Sequence, residues 1–264
     1  YTPQYAAIFS TNTNAMLDEI NYYVEQMNYT YANSLIDLRA VLAFAHQTPE
    51  NETISFDVNY RNFTHSQSLI YDPTGKYDEF FAYQFTHKAD IGILLISATD
   101  DLTAGGRANV GTKMAVSTRN SAFNGMTVAH EVGHLFGCEH NREEFNGVER
   151  LFLDGKKAYG YLNNVWSWRT VMSYGSVPRL PFYSDWEMYY NGHLRGNEYA
   201  NAADYIRGDH NSVTSYLNNV TTEGYSGNIP SGQIANIYGL NTVEISNSVI
   251  SPNSRVQAHA SQTV

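Results

Sequence analysis

His130-Glu131-Val132-Gly133-His134-Leu135-Phe136-Gly137-Cys138-Glu139-His140 is the stretch on which the reading of this chain turns. His130 and His134 are four residues apart, so on an α-helix both imidazoles leave the same face and can grip one ion. Glu131 follows the first histidine and stands beside the position of a metal-activated water. Gly137 can take the positive backbone angle that ends a helix and turns the chain sharply. That turn brings His140 back as a third nitrogen ligand. Three protein ligands with a fourth position open suit a catalytic zinc ion rather than a structural one.

Chance is a weak competitor. With 9 histidines, 19 glycines and 14 glutamates in 264 residues, the five fixed positions recur in roughly one random chain in 10⁴ to 10⁵. The short HExxH core is common on helices by accident; the extended pattern is not.

The pattern HExxHxxGxxH resembles the signature of the metzincin metallopeptidases. Thr170-Val171-Met172-Ser173-Tyr174 is similar to the methionine turn of that family, with Met172 as its methionine. Tyr174 falls where astacins and serralysins keep a tyrosine near the metal. The resemblance leaves it two roles, a resting ligand or a donor to the oxyanion, and simple packing is the third possibility. Ala89–Ile96 is an apolar run suited to a buried strand. The glycine-bearing stretch after it, with Gly105, Gly106, Arg107 and Ala108 as candidate substrate-binding residues, resembles the edge strand on which an extended peptide pairs. Pro178–Asp185 resembles the wall of the pocket beyond the scissile bond, and Leu180 and Phe182 predict an apolar or aromatic preference there. Residues from 192 to 217 resemble the closing helix of bacterial reprolysin-like (adamalysin-type) peptidases, the most similar group.

Two positions depart from the family. Animal reprolysins carry several disulfides, whereas this chain has one cysteine, Cys138, best read as a small residue packed under the turn. Asn141 follows the third histidine, where reprolysins have aspartate, serralysins proline and astacins glutamate.

The resemblance implies an α/β (α+β) catalytic domain of metzincin type. Its parts are a mixed twisted sheet with one antiparallel edge strand, a long active-site helix and a smaller, irregular lower subdomain. It implies zinc-dependent endopeptidase chemistry, with one catalytic zinc on His130, His134 and His140. Glu131 is then the general base toward a water whose pKa zinc lowers to about 7. Substrates are proteins or peptides. Secretion and an inhibitory propeptide in the precursor belong to the same expectation, and Tyr1-Thr2-Pro3-Gln4 carries no signal-peptide pattern. A calcium site is compatible with the family but has no signature in the sequence. Two other readings compete: a gluzincin with a downstream glutamate such as Glu187 as third ligand, and a catalytically inactive metzincin fold kept for adhesion or binding.

Composition narrows the partners. Lys+Arg 16 against Asp+Glu 26 gives net −10, which argues against nucleic acid or an anionic membrane. No run of eighteen apolar residues is present, so no spanning helix is expected. The spacing of Met16, Ile20, Val24 and Met27 predicts a helix over 13–32, capped by Asn12 or Thr13. Leu38–Ala45 and Ile54–Val58 read as strands, Tyr77–Phe85 as the end of a helix, Asp154-Gly155 as a turn, and Trp166 and Trp168 as packing residues. The catalytic domain is assigned to 1–220, a linker to 221–232, and a β-rich C-terminal segment, a candidate truncated accessory domain, to 233–264.

Overall fold

The computed structural model describes residues 1–65, 77–98, 104–141, 157–209 and 213–214, together with short strands between 224 and 260. In chain order the first helices are α1 (Pro3–Ala7), α2 (Thr13–Asn33), α3 (Phe56–Thr64) and α4 (Asp78–Thr86). The central elements follow as β1 (Gly92–Ile96), β2 (Gly106–Ala108), β3 (Met114–Thr118), α5 (Arg119–Gly125) and α6 (Thr127–Leu135). Two hairpins, β4–β5 (Leu162–Asn163, Trp168–Arg169) and β6–β7 (Tyr189–Tyr190, His193–Leu194), lead to α7 (Ala202–Asp209). The expected turn at Asp154-Gly155 lies outside the described residues.

Strand order in the main sheet is β1-β3-β2. β1 and β3 run parallel, with Leu94 opposite Val116, while β2 is antiparallel to β3, with Arg107 opposite Val116. This is the expected mixed sheet with an antiparallel edge. Side chains alternate across a strand, and β1 distributes its residues accordingly. Leu94 and Ile96 join Val116, Phe56, Tyr60 and Phe63 beneath α3, while Leu95 joins the larger core that holds α2, α6 and α7. The sheet is therefore covered on both faces, as a near-continuous apolar strand requires.

α2 forms as its spacing predicts. Asn12 caps it by accepting from Ala15 N at 3.0 Å, and Met16, Ile20 and Met27 are buried. Its buried Glu19 accepts the guanidinium of Arg119 through three contacts of 2.6–3.1 Å, and the hydroxyl of Tyr5 at 3.1 Å. A carboxylate out of water needs such partners, and this set fastens α2 to the end of β3.

Three sequence expectations change. Ile54–Val58 is not a strand: Ser55 accepts from Val58 N at 3.4 Å and opens α3. Phe56, Asn59, Tyr60 and Phe63 then form its buried face at helical spacing. Residues 38–45 largely alternate between less and more exposed, yet form no strand and join no ladder among the described residues. The side-chain amide of Asn28 stands in for a partner strand, accepting from Ala40 N at 2.7 Å and donating to Ala40 O at 3.1 Å. Trp168 is buried against Phe182 and Tyr190 as expected, but Trp166 is 55% exposed and stacks on His193.

Between 224 and 260 the described strands pair only in parallel. β8 (Gly224–Tyr225) pairs with β11 (Glu244–Ile245), β9 (Asn228–Ile229) with β12 (Val249–Ile250), and β10 (Ile234–Gly239) with β13 (Arg255–Ala260). Every register joins residues 20 or 21 apart, as in Gly224↔Glu244 and Ile234↔Arg255. A constant displacement over three successive ladders is the arrangement of one solenoid coil laid on the next. β8 and β9 fall inside the stretch read as a linker, which therefore carries strand structure from Gly224 among the described residues. Among the described residues no helix is long and apolar enough to cross a membrane.

Candidate active site

α5 and α6 are separate helices because Met126 between them adopts a left-handed conformation, φ +51°. The break redirects the chain, and α6 runs for nine residues through the interior, every one of them buried. Its end is a Schellman motif. Gly137 N donates to His134 O and Cys138 N to Gly133 O, both at 2.9 Å, with Gly137 at φ +100°. The turn then carries His140 back toward the helix.

The three imidazoles converge. Nε2 of His140 lies 3.2 Å from Nε2 of His130 and 3.0 Å from Nε2 of His134. Nitrogens held at about 2.0–2.1 Å from a tetrahedral zinc stand about 3.3 Å apart, so the donor set fits that ion. The outer nitrogens agree. His130 Nδ1 donates to Val171 O at 2.8 Å and His134 Nδ1 to Cys138 O at 2.7 Å. Each bond fixes the tautomer that leaves Nε2 with its lone pair for metal. Burial also holds His130 well below its ordinary pKa, with the Arg179, His134 and His140 charges adding to it; His134 is lowered for the same first reason. Among the described residues, His130, His134 and His140 are the group placed to hold a metal ion. Glu187, the gluzincin alternative, is exposed and outside that group.

Glu131 is fully buried beside them, and burial raises its carboxyl to about 8 against the opposing fields of Arg179 and Arg107. It accepts from the backbone N–H of Ala108 on β2, while its Oε2 has no partner. An unengaged carboxylate oxygen in the interior is costly and marks where a water or substrate belongs. Gly106 lets the edge strand come this near, since a Cβ there would lie 2.6 Å from Glu131 Oε1.

Met172, the methionine expected in the turn, packs against α6. Met172 is fully buried, and a Cβ on Gly133 would overlap its Sδ and lie 3.0 Å from Tyr183 Cε1. The ring of Tyr174 is 4.0 Å from that of His140 and 5.5 Å from that of His130, on the open side of the site. Asn141, the departure from the reprolysin pattern, is buried and accepts from Tyr174 N at 2.7 Å. A neutral amide thus ties the residue after His140 to the backbone of Tyr174. Cys138 is buried as expected and contributes its carbonyl to His134.

The remaining candidates divide. Gly106, Arg107 and Ala108 form β2, and Gly105 O accepts from Thr118 N at 2.8 Å. The side chain of Arg107 is taken up by Asp57 and by the rings of Phe56 and Tyr60. The N–H of Leu180 is bonded to Arg169 O at 2.8 Å. The Phe182 ring is buried among Trp168, Tyr190 and Arg195, away from the histidines. Arg179, which sequence reading passed over, donates to Gly125 O at 2.7 Å.

Neutral imidazoles aimed at one point beside a buried carboxylate define a metal-dependent hydrolase. The family model for Metallo-peptidase family M12 (Reprolysin_5) matches residues 1–184, and the chain belongs to that family. Family and histidine triad together make it a metzincin-like zinc metallopeptidase acting on proteins or peptides. No curated protein sequence matches the chain.

Proposed function

We propose that the chain is a zinc endopeptidase in which Glu131 is the general base. The observation that carries this reading is the buried, unpartnered Oε2 of Glu131 next to the three imidazoles. His130, His134 and His140 would hold zinc, which when bound would supply Lewis acidity toward a water, whose pKa it would lower to about 7, and toward a carbonyl. Val171 O and Cys138 O hold two of the rings in the metal-binding tautomer. Ala108 N–H fixes one oxygen of Glu131, leaving Oε2 to take a proton from water and return it to the departing amine. β2, with Gly105, Gly106, Arg107 and Ala108, offers backbone groups to an extended substrate. Tyr174, supported through its own N–H by Asn141, donates to the oxyanion. Met172 keeps α6 at its height, and Leu180 belongs to the substrate wall.

Secretion and synthesis with an inhibitory propeptide belong to the same proposal, supported by family membership. Residues 1–220 are the catalytic unit, and the strands from Gly224 onward are a coiled accessory unit, supported by the uniform registers. A casein-degradation assay tests these points together. Glu131→Ala retains zinc while cleavage falls by about 10²–10⁴, and the 1–220 fragment keeps cleaving. Zinc bound one per chain without chelator-sensitive cleavage would instead favour the inactive binding module, and an inert 1–220 fragment would sink the division.

A further inference from the structure

α5 ends at Gly125, whose carbonyl has no helical partner beyond the left-handed Met126. Nη1 of Arg179 caps it at 2.7 Å. Capping uses one corner of the guanidinium. Nε is buried without a partner, and Nη2 has only a 3.5 Å contact with Ser173 O. Nε and Nη2 form one edge of the planar fork, the edge that takes a carboxylate through two parallel hydrogen bonds. Arg169 crowds the same place, its Nη1 also bonded to Ser173 O, and its charge acts against that of Arg179. No carboxylate among the described residues is ion-paired with either arginine, although Glu131 and Tyr174 lie within reach of the Arg179 field. In a chain of net −10, two adjoining cations with no ion-paired carboxylate among the described residues stand beside the catalytic glutamate. Burying a cation so is costly unless something pairs with it.

We propose that Arg179 recognises a carboxylate of the substrate next to the scissile bond. The carboxylate belongs to an Asp or Glu side chain flanking that bond, or to the free C-terminus of a short peptide. This rests on the peptidase reading above, and it replaces the apolar preference expected from Leu180 and Phe182. Phe182 is committed to the Trp168 cluster, whereas the buried Nε edge of Arg179 is unpartnered.

The test is a quenched-peptide library read with zinc-loaded wild type and Arg179→Gln. Each residue type is varied at both positions flanking the bond, in free-acid and amidated forms. Wild type is expected to cleave carboxylate-bearing peptides at least about ten-fold better in kcat/KM. Arg179→Gln is expected to abolish that advantage, chiefly through KM, while neutral peptides change by less than about three-fold. An advantage that survives amidation assigns the carboxylate to the side chain; one that vanishes assigns it to the C-terminus. Indifference of wild type to acidic residues overturns the inference and leaves the peptidase reading standing. So does an Arg179→Gln variant that loses activity equally on all peptides, the mark of an arginine that only braces the helix. Cleavage of nothing by wild type overturns both. Should the variant fail to fold, wild type alone decides: added salt raises KM for acidic peptides selectively, and an equal effect on neutral ones contradicts the proposal.

Discussion

At Glu131 two requirements collide: the carboxylate must be buried to act and pays for burial in its own ionisation. Its folded pKa of about 8 stands above the ordinary 4.5. Between those values the folded metal-free chain keeps a proton that the unfolded chain has released, so stability falls as pH rises through that window. Glu131→Gln removes the effect. The melting gap between metal-free variant and wild type is expected to widen in favour of the variant from pH 5 to pH 8, by about 1.4 kcal/mol per unit. A pH-independent gap would show that the carboxylate is not desolvated. The ligands themselves were legible because spacing encodes them: four residues put two rings on one face, and Gly137 turns back the third. The groups that orient the rings were not. Val171 O and Cys138 O are backbone atoms, and every residue has one. Asn141 read as a departure from a pattern until its amide met Tyr174 N. Arg179 was hidden for a similar reason, since its cap on Gly125 joins residues 54 apart.

Among the elements, α6 shows how packing overrules propensity. Alanine is a better helix former than glycine by about 1 kcal/mol, so Gly133→Ala ought to stabilise an isolated helix. Here the new Cβ would overlap Met172 Sδ and press on Tyr183, both fully buried. Overpacking of this kind costs about 1–3 kcal/mol, and it outweighs the helical gain. Thermal melting is expected to fall, and zinc affinity with it, since the shift carries His130 and His134; a stabilised variant would contradict the contact. Period alone misled elsewhere. Ile54, Phe56 and Val58 alternate like a strand, but a window of five residues cannot separate that from the first turn of α3. Residues 38–45 show much of the alternation of a strand without pairing to one among the described residues. The coil repeat was missed because its strands are two to six residues long and few identities recur between turns. Only the pairing exposes the displacement.

On the scale of the molecule, the sheet is covered on both faces, its edge strand bears on α6, and Arg179 caps the end of α5. The architecture was readable from the motif through family resemblance, because a site that needs a helix, a tight turn and a methionine turn constrains what surrounds it. Charge distribution was not readable, since a net −10 says nothing of cations gathered near one glutamate. Everything proposed for function depends on three histidines acting as one metal site. Zinc content and affinity of purified wild type and His140→Ala, by competition with a chelator, test this most directly. The account expects one zinc per wild-type chain and at least about 10²-fold weaker binding in the variant. Zinc retained by His140→Ala at wild-type affinity would contradict it.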